Sequence, residues 1–255
     1  LGHLAAPYLR GQPLPKASWL THSYGRVAAS EAAPLLAAAR DPLAWRHPLL
    51  HPFTPELVAA MLELWECAPA LLTRMERGPQ TLCHHDVWRH NLFTRVSAEG
   101  QQQTVAIDWE LMGVGAAGED AGNLLFVSLL NMDQEMADAP ALAAALQQAY
   151  VEGLCEQGWR DDTGPISFAF RVAALRCIFS TITWPIAIVQ DQTGRFVNET
   201  EQRWQRPLEA VLMTGRASLS SRLRSLPVIF QRARTCATPT PTCIGYVRHP
   251  LTFSP

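Results

Sequence analysis

Between residues 81 and 107 this chain changes texture, and that change limits what it can fold into. Three short runs of strand-forming residues, 81–83, 92–96 and 104–107, fall there. The last two are joined by a turn-like segment, 98–103, that contains Gly100, which reads as a β-hairpin. Helical patterning lies on both sides. Thr54-Pro55-Glu56 supplies a cap, a proline for the first turn and an acid beside it. Leu57, Met61, Leu64, Ala68, Leu72 and Met75 then recur at helical spacing until Arg77-Gly78-Pro79. A helix is expected over 2–9, stopped by Gly11, Pro13 and Pro15, and another over 30–40 with Ser30 as its cap. Further helices are expected near 120–131, 141–157, 166–189 and 198–216. The fold class is therefore α+β, mainly α-helical, with a small β-hairpin at its centre.

Composition narrows the function. Of 255 residues 48% are hydrophobic, enough for a packed core, and the net charge of −2 gives no general attraction to nucleic acid or to an anionic membrane. The longest uncharged apolar stretch, 177–190, falls short of the roughly 20 residues of a membrane helix. Cysteines 67, 83, 155, 177, 236 and 243 form no C-x-x-C pair, so reduced thiols and a cytoplasmic setting are the expectation. After Glu209 no acidic residue occurs, and residues 217–255 read as a basic tail rich in Pro, Ser and Thr, poorly ordered or non-native. Residues 1–216 read as one lobe.

The chemistry is concentrated in Cys83-His84-His85-Asp86-Val87-Trp88-Arg89-His90-Asn91, followed by Ile107-Asp108-Trp109-Glu110. Phosphoryl transfer needs a carboxylate to orient a hydroxyl and take its proton, and oxygen ligands to hold Mg²⁺. His-x-Asp-x-x-x-x-Asn offers a carboxylate and an amide from one turn, here Asp86 and Asn91. Asp108, closing the next strand, offers a second carboxylate.

This pattern resembles the aminoglycoside phosphotransferase and choline-kinase-like family, whose fold is that of a protein kinase. The resemblance implies that Asp86 is the catalytic base, that Asn91 and Asp108 bind Mg²⁺, and that His84 braces the catalytic loop. It further implies that Asp120 anchors that loop through its backbone. ATP (or GTP) would be the donor and a small-molecule hydroxyl the acceptor. Glu110 and Trp184 are candidate substrate contacts, and Trp204 is a further aromatic on a late helix, although packing alone accounts for such tryptophans.

The resemblance covers a C-terminal catalytic lobe. A kinase-like N-lobe would present a lysine on a strand. The sole lysine, Lys16, follows Pro13 and Pro15, in a poor context for a strand. With Leu1 in place of a starting Met, the chain reads as a fragment, inactive alone. A non-catalytic, pseudokinase-like binding module is the alternative. Gly113-Val114-Gly115-Ala116-Ala117-Gly118 also matches the dinucleotide fingerprint of an oxidoreductase, but Asp108 to Glu110 interrupts the strand, and Glu119 and Asp120 would oppose phosphate. A turn lined with small residues is the expected use. His84, His85 and His90 lack metal-ligand spacing, and His85 and His90 are expected in the loop, lining the site.

Overall fold

The computed structural model describes residues 1–51, 53–131, 133–134, 136–191 and 193–213, with the backbone alone for 136 and 175–182. The tail over 217–255 and the end of the last expected helix lie outside the described residues.

The described residues form an α+β arrangement, mainly helical, with two small sheets. Helix α1 is Gly2–Leu9, and strand β1, Thr21–His22, precedes α2, Tyr24–Ala39. Helix α3, Pro55–Glu76, begins as its sequence dictates: Thr54 Oγ1 accepts the Leu57 N–H at 3.3 Å and Pro55 takes the first turn. Strands β2 (Gln80–Cys83), β3 (Leu92–Val96), β4 (Gln102–Ala106) and β5 (Gly113–Ala116) follow. The remainder is α4 (Glu119–Leu130), α5 (Ala139–Glu156), α6 (Gly164–Gln190) and α7 (Arg195–Trp204). Strands β3 and β4 form the hairpin, with Leu92 opposite Ala106 and Val96 opposite Gln102.

Helix α6 organises the core. Ala169 and Val172 pack with Leu36, Met61, Leu64 and Leu72 of α2 and α3. Ile166 and Phe170 pack instead with Ala5, Leu125, Leu129 and Leu154 of α1, α4 and α5. A helix buried on two sides has no polar face to display, which explains its apolar residues all round.

Three expectations are corrected. Helix α2 starts at Tyr24, not after Ser30, because its first turn is held by tertiary contacts: the Tyr24 ring stacks on His85 at 4.9 Å. The helix expected over 198–216 is broken: Gln205 turns left-handed (φ 51°), Pro207 follows, and helix resumes at 208. The glycine run at 113–118 is strand β5 rather than a turn. It lies between β1, to which it is parallel, and β2, to which it is antiparallel. Glycine is required because the strands approach so closely: a Cβ on Gly113 would lie 2.1 Å from the Thr21 carbonyl oxygen. The run lacks β-branched residues, so propensity hid a strand that packing imposes. The turn is confined to Ala117 and Gly118, and Gly118 caps α4 at φ 98°.

Cys155 is disulfide-bonded, against the expectation of reduced thiols, whereas Cys67 and Cys83 are reduced. No described helix is long and apolar enough to cross a membrane.

Candidate active site

Strand β2 ends at Cys83, and the chain turns through His84, His85 and Asp86 before a single 3₁₀ turn, Arg89–Asn91, delivers it to β3. His85 takes a left-handed conformation (φ 63°), which costs a β-carbon-bearing residue about 1–2 kcal/mol. Helix α4 holds it there. Asp120, in the first turn of α4, accepts the His84 N–H on Oδ2 at 2.8 Å and the His85 N–H on Oδ1 at 2.9 Å. The Asn123 side chain donates to the His85 carbonyl at 3.4 Å. Both polar groups of the strained peptide are thus tied to one helix, and the loop has little freedom to relax.

Within the loop, the Asn91 Nδ2 donates to Asp86 Oδ2 at 2.9 Å and to the Asp86 carbonyl at 3.0 Å. With both amide hydrogens on Asp86, Oδ1 is the Asn91 atom left to meet a cation. Asp86 is half-buried and Asn91 buried.

Ile107 joins this loop to the hairpin. Its N–H donates to the Asn91 carbonyl at 3.0 Å, and its carbonyl accepts from His84 Nε2 at 2.8 Å. With its proton on Nε2, His84 offers Nδ1 to the Asp86 N–H at 3.3 Å, and its ring packs on Trp109, 4.5 Å between centroids. His84 therefore bridges the Asp86 turn and the segment bearing Asp108. Asp108 follows directly, exposed and left-handed (φ 60°). Asp86, Asn91 and Asp108 are held on one connected scaffold of loop and hairpin.

The other candidates are placed as follows. Glu110 is exposed in the turn after Trp109. Trp184, half-buried on α6, packs on Trp204 at 5.6 Å and against the α2–α3 side of the core. Arg89 of the loop, which was not a candidate, pairs with Asp133 at 2.8 Å. His90 is an exposed loop residue whose ring tilts against Trp88, 4.5 Å between centroids. His85 is not a lining residue of an open site: it is buried under Tyr24, because the left-handed turn directs it inward. Glu119 is likewise buried, and its Oε2 accepts the Ala116 N–H at 3.1 Å.

Asn123 and the buried pair of His85 and Glu119 were missed from sequence. Asp120-x-x-Asn123 places two polar residues on one helix face, a signal that was available.

Beneath the loop, Tyr150 of α5 is forced to remain a phenol far above the ordinary tyrosine value of 10.0. Burial is the largest cause, then Cys83; Asp120 and Glu119 add to it, and a hydrogen bond with the Gly118 backbone opposes. Stability from this neutral phenol is complete below the unfolded value and lost as pH rises through the higher folded one. Urea midpoints should therefore fall above about pH 10, and less so in Tyr150→Phe. An identical alkaline decline in both proteins would show that Tyr150 does not contribute to it.

A profile of the phosphotransferase enzyme family matches residues 22–161, more than half of the chain, which spans the Asp86 loop, the hairpin and α4. The chain belongs to this family, and the likeness to aminoglycoside phosphotransferases read from its motifs is a family relationship. No curated protein and no solved structure matches the chain.

Proposed function

We propose that the chain is the kinase-like catalytic lobe of an enzyme that transfers the γ-phosphate of ATP (or GTP) to a hydroxyl of a small molecule. The observation that carries this reading is the linkage of Asp86, Asn91 and Ile107-Asp108 through Asn91 Nδ2, the Asn91 carbonyl and His84. Asp86 orients the acceptor hydroxyl and takes its proton as the oxygen attacks, a role suited to a half-buried carboxylate fixed on one oxygen by an amide. Asn91 Oδ1 and the exposed Asp108 carboxylate are hard oxygen donors and fit Mg²⁺. When bound there, Mg²⁺ would offset charge on the nucleotide phosphates. His84 and Asp120 keep the loop in register with the hairpin and α4. Glu110, exposed beyond Asp108, is a candidate contact for the acceptor, and Trp184 of α6 is a second.

Residues 1–216 form the lobe in this reading, and 217–255 are a tail apart from it. Lys16 lies in an irregular segment between α1 and β1, so no described strand presents a lysine to the phosphates. Turnover by this chain is expected to be very poor for that reason, and an N-lobe carrying such a lysine would complete the enzyme. A cytoplasmic setting suits the reduced Cys67 and Cys83, though not the Cys155 disulfide. Calorimetric titration with ATP tests the reading: heat of binding that requires Mg²⁺ supports it, and binding indifferent to Mg²⁺ points to a non-catalytic module.

A further inference from the structure

We propose that Cys83, His85 and Glu119 form a zinc-class metal site behind the catalytic loop. These residues come from the end of β2, the strained turn and the first turn of α4, and all three are buried: 1%, 2% and 2% exposed. Their donor atoms all lie within 4.8 Å of one another, and His85 Nδ1 is 3.7 Å from Glu119 Oε1. Two nitrogen or oxygen ligands of one tetrahedral zinc ion sit roughly 3.4 Å apart, so small side-chain shifts close the site. Sulfur, imidazole and carboxylate together select zinc over magnesium, which prefers oxygen alone. The set is chemically distinct from Asn91 and Asp108 and does not depend on the phosphotransferase reading.

The surroundings fit a metal site in three further respects. All three side chains converge over the bare face of Gly115, where a Cβ would lie 2.7 Å from Glu119 Oε2, 2.7 Å from the His85 ring and 3.0 Å from Cys83 Sγ. Glu119 is oriented by the Ala116 N–H on Oε2, which turns Oε1 toward His85. A cavity of about 150 Å³ reaches one ligand of the set, Glu119, and is bordered there by Tyr24 and Gly115. A bound ion would tie β2, the Asp86 turn and α4 together, one residue from Asp86.

The test is titration of the full, metal-stripped chain with Co²⁺, read by the thiolate-to-cobalt charge-transfer band, with Zn²⁺ affinity from chelator competition. One equivalent is expected to bind with a thiolate band, displaced by Zn²⁺ and not by excess Mg²⁺. Cys83→Ser should abolish the band and Cys67→Ser should keep it. His85→Asn, which tolerates the left-handed turn, and Glu119→Gln should each weaken Zn²⁺ by at least about tenfold. The proposal is overturned if the native chain gives no thiolate band, or if the band survives Cys83→Ser or vanishes with Cys67→Ser. The native titration decides even if a variant fails to fold.

Discussion

Asp86→Ala is expected to reduce γ-phosphate transfer by about 1,000-fold, the usual contribution of a positioned general base. In a chain whose turnover is already very poor, the drop reads as a fall to the uncatalysed background. The substitution is clean because the fold barely depends on the carboxylate. Asn91 Nδ2 also donates to the backbone carbonyl of residue 86, and that bond survives the change. Losing the side-chain bond alone should cost about 1 kcal/mol of stability. Radiolabelled ATP with a panel of alcohol acceptors measures the effect, and urea denaturation shows that the fold persists. Residual transfer unaffected by Asp86→Ala would mean that any activity arises elsewhere.

Asp120→Ala should have the opposite profile, with stability lost first and chemistry as a consequence. The carboxylate is buried and accepts two backbone N–H groups, those of His84 and His85. Each would be left without its acceptor, at about 1–3 kcal/mol apiece, so a total of about 2–6 kcal/mol is expected. The left-handed His85 peptide would also lose the restraint that sustains its strain. Asp120→Asn keeps one oxygen acceptor and should lose roughly half as much. Urea denaturation measures both, and equal losses in the two variants would contradict two additive contacts and show that they act only as a pair.

Much of this arrangement was legible because it is local. Asp86 and Asn91 sit on one turn, and Asp108 lies just past β4 of the hairpin that follows, so short-range spacing brings all three onto one scaffold. The start of α3 was equally plain, since Thr54, Pro55 and Glu56 are adjacent and act on the same turn. What escaped depends on distant partners. The glycines at 113 and 115 carry no strand propensity, and β5 exists because β1 and β2 flank it. Once that strand is in place, Glu119 and His85 must face each other in the interior, a relation between residues 34 apart that no spacing rule reports. The early start of α2 has the same origin: Tyr24 joins the helix while stacking on His85. The break at Pro207 is different, because it has a local cause: a proline inside a helical pattern ends the helix whatever the pattern around it.

The most direct test of the phosphotransferase site is the binding of Mn²⁺, in place of Mg²⁺, with a non-hydrolysable ATP analogue, followed by electron paramagnetic resonance. The native chain should hold one Mn²⁺ with the nucleotide, weakened at least about tenfold by Asn91→Ala or Asp108→Ala and unchanged by Glu110→Gln. Absence of Mn²⁺ binding, or affinity indifferent to Asn91 and Asp108, would contradict the assignment.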